Sequence, residues 1–127
     1  IYDAYRPWFV TKMFWEGTPE NLKHFVANPE NGSSHNKGCA IDIGLYDIET
    51  KESINMISGY DEFTERAYPN YMGGSKKQRD IRDMLIKVME KNDFTVYEYE
   101  WWHFNYNKCD SGIMNYSFSE LDSLNSV

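Results

Sequence analysis

Two short stretches, distant in sequence, constrain this chain more than any other feature. The first is SSHNKGCAID, Ser33 to Asp42, with His35 and Asp42 seven positions apart. The second is EYEWWHF, Glu98 to Phe104, in which Glu100 and His103 are spaced E-x-x-H. Each has an ordinary reading when taken alone. A histidine in a Ser/Asn/Gly-rich segment is commonly a solvated loop residue, and a histidine between Trp102 and Phe104 is commonly a satisfied, partly buried one. Together they read differently. His35, Asp42 and His103 supply two imidazoles and one carboxylate, and three protein ligands with one open position is the catalytic zinc arrangement rather than the closed structural one. Glu100 adds a carboxylate that need not be a ligand and can take a proton from metal-activated water. One difficulty is built in. On a regular strand, residues three apart point to opposite faces. Glu100 and His103 converge only if the chain bends or leaves the strand between them.

The rest of the chain supplies a frame. Pro7 suits the first position of a helix, and Phe9, Met13 and Phe14 follow it at helical spacing. GTPENLKHFVANP reads as a second short helix, with Thr18 as N-cap, Pro19 as first residue and Asn28-Pro29 as its end. His24, within it, carries no motif and reads as a surface residue. NPENGSSHNKG is a polar loop with a turn signal at Asn31-Gly32. The alternation in CAIDIGLYDI predicts a strand from about Cys39 to Tyr46. DIETKES is a turn, and Asn55 to Gly74 is irregular. GSKKQRDIRDMLIKVMEKNDF is the clearest helix: Ser75 and Gln78 form a capping box, and Ile81, Met84, Leu85, Val88 and Met89 mark one apolar face. TVYEYEWWHFNY predicts one strand of β-branched and aromatic residues. The tail from Lys108 reads as polar and extended. Helices and strands in this order predict an α+β fold with a small mixed or antiparallel sheet and flanking helices.

Composition narrows the functional classes. The chain has 127 residues and a formal net charge of −7. Its length fits a single domain, residues 1–127, able to bury a core without staples. The acidic balance argues against a nucleic-acid partner, which wants a basic face. No apolar run is long enough for a transmembrane segment. The chain opens at Ile1 rather than Met, and a missing N-terminal segment is expected. Cys39 and Cys109, seventy residues apart, permit at most one disulfide and match no zinc-ribbon or redox spacing. They read first as small buried residues. Aromatics make up 17% of the chain, which suits a core built from large rings.

The pattern S-x-H-x-x-G-x-A-x-D, here Ser33, His35, Gly38, Ala40 and Asp42, followed by E-W-W-H, Glu100 to His103, resembles the zinc D,D-peptidases. DAYRP, Asp3 to Pro7, and YDEFTER, Tyr60 to Arg66, are similar to the VanX-type D-alanyl-D-alanine dipeptidases within that family. The resemblance runs from Arg6 to His103, with YSF at Phe118 similar to the family's ending. It implies a fold shared with Hedgehog signalling domains. It also implies one Zn²⁺ per chain on His35, Asp42 and His103, with Glu100 as general base and then proton donor to the leaving amine. Arg6 would stabilise the oxyanion, as a permanent cation with a rigid donor fork can do. Asp61 would pair with the substrate's ammonium, and Ser33 would lie near its carboxylate. The implied partner is a small dipeptide, D-Ala-D-Ala. The family's chains carry more residues before the Arg-Pro segment than this one does.

Two other functions fit parts of the pattern. A zinc D,D-carboxypeptidase acting on cell-wall peptides shares the metal chemistry but needs an open cleft and no ammonium anchor. A non-catalytic zinc-binding module would lose the base or the arginine, and both Glu100 and Arg6 are present. Glu98, two residues before Glu100, competes for the base role, and the E-W-W-H match favours Glu100.

Overall fold

The segment read from sequence as one strand folds back on itself. In the computed structural model, which describes residues 1–126, Phe94–Tyr97 forms strand β2 and Glu100–Tyr106 forms strand β3. The two pair antiparallel across a turn at Glu98 and Tyr99. That turn contains none of the Gly, Asn or Asp residues that announce a hairpin, so continuous β-propensity hides it. Ala40–Asp42 forms strand β1, which pairs antiparallel with the other edge of β3, giving the order β1-β3-β2. The strand expected over Cys39 to Tyr46 is therefore only three residues long. Beyond it, Ile43 N–H still donates to the Trp102 carbonyl, at 3.0 Å.

β3 is central, and Glu100 to Phe104 are all buried. Trp101, Trp102 and Phe104 join Phe25, Met56, Ala67 and Leu85 in the core. Burying three such rings accounts for much of the driving force, since each large aromatic removes 150–250 Å² from water. Trp101 Nε1–H satisfies its polar end on Ser58 Oγ at 2.8 Å.

Helix α1 spans Trp8–Gly17, with Pro7 as its N-cap rather than its first residue. Phe9, Met13 and Phe14 do not face the core; all three are exposed, and the buried residue of α1 is Thr11. The second expected helix is instead a six-residue 3₁₀ segment, Glu20–Phe25, with no side-chain cap. So short a segment gains too few hydrogen bonds to nucleate an α-helix. Helix α2, Lys76–Glu90, begins at the expected capping box: Ser75 Oγ accepts from Gln78 N–H and Gln78 Oε1 accepts from Ser75 N–H. Its inner face differs from the expected one. Leu85 is buried, with Ile81, Ile86 and Met89 packed around it, while Met84 and Val88 are exposed. Arg82 is buried instead, because its guanidinium donates to the Tyr71 carbonyl at 2.6 Å and pairs with Asp83.

Two further expectations are corrected at the C-terminal end. Cys39 and Cys109 form a disulfide, with Cα atoms 5.6 Å apart. Tyr106 N–H donates to the Cys39 carbonyl at 2.8 Å and a turn follows, which brings Cys109 back beside Cys39. The tail then runs extended against the rest of the chain: Met114 N–H donates to Asn36 O and Trp8 N–H to Met114 O. It ends in helix α3, Phe118–Asn125, started by a capping box of Ser117 and Glu120 that the tail's polar composition masks. Among the described residues, no helix is long and apolar enough to cross a membrane.

The disulfide closes a loop of sequence separation 70, for which chain entropy predicts about 4 kcal/mol of stabilisation. A Cys39→Ser, Cys109→Ser double variant should lose roughly 2–4 kcal/mol of unfolding free energy in urea at an unchanged m-value. An unaltered midpoint would show that the bond contributes nothing to the folded state.

Candidate active site

His35 is delivered by a short turn built for the purpose. Ser34–Lys37 is one 3₁₀ turn, N-capped by Ser33, whose Oγ accepts from His35 N–H at 3.1 Å. Asn36 Oδ1 returns the bond by accepting from Ser33 N–H at 2.8 Å. Gly38 ends the turn at φ 65°, the left-handed region that glycine enters without a Cβ clash. The chain then enters β1, and Asp42 reaches the site four residues later. There it is the direct cross-strand partner of His103 on β3. The seven-residue spacing is thus a turn, a left-handed glycine and a short strand.

The three side chains meet. His35 Nε2 lies 3.2 Å from Asp42 Oδ1 and 3.2 Å from His103 Nδ1, and His103 Nδ1 lies 3.0 Å from Asp42 Oδ1. All three residues are buried. The far nitrogen of each ring is already occupied. His35 Nδ1 is 2.6 Å from the Ala4 carbonyl, an acceptor only, so it carries the proton. His103 Nε2 is 2.9 Å from Asn105 Oδ1. The facing atoms are then two ring lone pairs and a carboxylate oxygen, a set that repels itself unless a cation or proton sits among them. A tetrahedral zinc with bonds of about 2.0–2.1 Å spaces its ligand atoms by roughly 3.3 Å, which these edges approach. The donor set therefore fits a divalent metal ion.

Glu100 reaches the same point through an irregularity in the sheet. Val96 pairs with Phe104 but Tyr97 pairs with Glu100, so one step along β2 spans four along β3. Trp101 to His103 bulge out of the β2 ladder, and the strict alternation that would separate Glu100 from His103 is broken. Glu100 Oε2 lies 3.8 Å from His103 Nδ1. Burial, then the Asp42 and Asp61 charges, push its carboxyl up to about 8, with Arg6 partly opposing. Glu98 sits exposed on the hairpin turn, outside the cleft lining.

Asp42 goes the other way. Burial alone would raise it, but a proton on the facing His103 or His35 nitrogen, which the three groups take up when no cation sits among them, outweighs that and holds it well below the usual carboxylate range. Its second oxygen accepts from Tyr60 O–H at 3.0 Å. Tyr60 is itself stacked on Tyr2, with centroids 4.2 Å apart. Burial, then the Asp42 charge, push the Tyr60 phenol far above its normal value, so it stays a donor.

Arg6 is fixed by three contacts: Nη1 to Asp3 Oδ2 at 3.1 Å, Nε to Thr11 Oγ1 at 3.2 Å, and Nη2 toward Ser33 Oγ at 3.5 Å. The Phe14 ring stacks over it, 4.9 Å from the guanidinium carbon. Arg6, Asp61, Ser33, Glu100 and the three ligand residues all line one cleft of about 450 Å³. Its other walls come from Met13, Phe14, Phe25, Val26, Phe63 and Tyr97, so Met13 and Phe14 of α1 face the cleft. Asp61 holds φ 57°, a conformation Asp tolerates in tight turns. Desolvation at the cleft wall, then the Asp42 charge, raise its carboxyl above the ordinary value.

The residues that sequence reasoning missed are the ones that orient the others: Asp3, Thr11, Tyr60, Asn105 and the Ala4 carbonyl. Asp3 and Tyr60 lie inside the quoted DAYRP and YDEFTER stretches, but nothing in residue type alone says which ligand each one steadies.

Comparison with known proteins places the chain in a peptidase family. The model of a peptidase family described as D-ala-D-ala dipeptidase matches residues 1–123. A D-alanyl-D-alanine dipeptidase of Escherichia coli is 35% identical, over 82% of this chain and 52% of its own length. Those of Enterococcus faecalis and Enterococcus faecium are 31% and 32% identical, each over 82% of this chain and 59% of its own. The chain thus spans between half and three-fifths of the length of these curated relatives.

The raised Glu100 pKa carries a stability consequence. An acid whose folded pKa lies above its unfolded one holds its proton longer when folded, so stability falls as pH rises from about 4.5 towards 8. Glu100→Gln does not titrate and escapes this loss. In chelator-treated protein, the variant should gain roughly 3 kcal/mol over wild type between pH 5 and pH 8. Urea denaturation at the two pH values measures it, and a pH-independent difference would remove the assigned shift.

Proposed function

Because the chain belongs to the D-Ala-D-Ala dipeptidase family, we propose that it hydrolyses D-Ala-D-Ala to two D-alanines at a single zinc site. The observation that carries the reading is the convergence of three ligand atoms 3.0–3.2 Å apart with the Glu100 carboxylate 3.8 Å from one of them. His35 Nε2, Asp42 Oδ1 and His103 Nδ1 would hold the ion. When bound, zinc supplies Lewis acidity, which acidifies water and polarises a carbonyl.

The protein's own residues do the rest. Glu100 takes a proton from the attacking water and later gives it to the leaving amine. A carboxyl with its pKa lifted towards neutrality suits both steps. Arg6 stabilises the oxyanion that forms as the carbonyl becomes tetrahedral. Its position is set before substrate arrives by Asp3 and Thr11, so little reorganisation is left for the reaction itself. Asp61 pairs with the substrate's ammonium at the cleft wall. Ser33 has its oxygen engaged as acceptor from His35 N–H, so its contribution to the substrate carboxylate is the hydroxyl proton.

The test is free D-alanine release, with zinc supplied, from D-Ala-D-Ala and from an N-acylated peptide of the same terminus. Release from the free dipeptide alone is expected. Release from the blocked peptide would move the assignment to a D,D-carboxypeptidase, and release from neither would reject hydrolysis of this bond. Glu100→Ala should lower kcat by about 10²-fold or more while zinc stays bound. Near-normal turnover would overturn the base assignment. Asp61→Asn should raise KM for the free dipeptide more than it lowers kcat, and an unchanged KM would remove the ammonium contact.

A further inference from the structure

Two residues after His103, on the same strand, Asn105 faces the same cleft. Its Oδ1 lies 2.9 Å from His103 Nε2. We propose that Asn105 is a positioning residue for the site: its side-chain oxygen accepts the His103 Nε2 proton and so commits Nδ1, the opposite nitrogen, to the metal. The inference rests on the zinc reading above and adds a residue to it.

The chemistry allows only one assignment of the proton. His103 presents Nδ1, not Nε2, to Asp42 Oδ1 and His35 Nε2. A ligating nitrogen must offer its lone pair, so in a neutral ring the proton sits on Nε2. Nε2–H then needs an acceptor, and the amide oxygen of Asn105 meets it at hydrogen-bond distance. Ser34 Oγ is also near Nε2, but at 3.4 Å it is the weaker partner. His35 shows the same logic with a different acceptor, the Ala4 carbonyl. The two acceptors differ in how far they can be changed. A backbone carbonyl cannot be removed by mutation, whereas Asn105 can.

Asn105 is also held in place. Its backbone lies between Ala40 of β1 and Thr95 of β2, in register with both. A strand paired on both edges fixes the direction of the side chain and therefore the plane of the imidazole. Such outer partners typically change metal affinity by about 10–100-fold when removed.

The experiment is a zinc titration of the chelator-treated full chain, in competition with a chromophoric chelator. Wild type, Asn105→Ala, Asn105→Asp and Ser34→Ala are compared. Asn105→Ala should bind zinc about 10–100-fold more weakly, with its thermal midpoint in the chelator-treated state close to wild type. Asn105→Asp retains an acceptor oxygen and should restore most of the affinity, and Ser34→Ala should differ little from wild type. Wild-type affinity in Asn105→Ala would overturn the inference while leaving the zinc reading intact, and so would an equal loss in Asn105→Asp. A wild-type chain that takes up no zinc would overturn the zinc reading and this inference together.

Discussion

The pairing of Asp42 with His103 across β1 and β3 is the contact on which the rest of the site depends. It is a direct cross-strand pair, so backbone hydrogen bonds, not the side chains, set how close the two groups come. β1 is only three residues long and would be weak alone. It is held because β3 is central and buried, because Ile43 extends the ladder to Trp102, and because Asp3 and Tyr2 pair their backbones with Asp42 from the other side. That last contact brings Arg6 into the cleft, since Arg6 follows Asp3 by three residues and its own N–H donates to the His35 carbonyl.

The cleft gathers Asp42, Asp61 and Glu100 with one arginine, Arg6, which Asp3 pairs. Concentrating carboxylates in a buried site works against folding, and the raised Glu100 and Asp61 carboxyls are where that cost is visible. A divalent cation answers it, which is one physical reason to read the cluster as functional: a structural core would replace these acids with apolar groups at a gain in stability. Beside Asp42, Tyr60 donates to its second oxygen and packs its ring on Tyr2 and on the fully buried Trp102, and a hydrogen bond made in such low-dielectric surroundings is strengthened.

Much of the site was legible beforehand because its chemistry is local. His35, Asp42, Glu100 and His103 announce themselves by type and spacing, and the α2 capping box needs only Ser75 and Gln78. The misses share a cause. The hairpin turn at Glu98 and Tyr99 has no turn-forming residues. The α2 face was drawn from hydropathy, yet Arg82 displaces Met84 and Val88 from the interior because the Tyr71 carbonyl accepts its guanidinium. The Cys39–Cys109 bond and the tail's return along Asn36 and Trp8 depend on where β3 ends relative to β1. Tyr60 and Asn105 belong here too, since an outer hydrogen bond leaves no trace in residue order.

By itself, then, the sequence determined the inventory: which side chains can hold a metal ion, which can carry a proton, the seven-residue spacing from His35 to Asp42, and that helices and strands would mix. Only the tertiary structure decided that Glu100 and His103 meet. Strand periodicity sets them on opposite faces, and what overrides it is the register shift in the β2–β3 ladder between Val96 and Tyr97, while β1 on the other edge holds His103 opposite Asp42. Periodicity is a property of neighbours along the chain. Register is a property of strands that find each other only when the core closes.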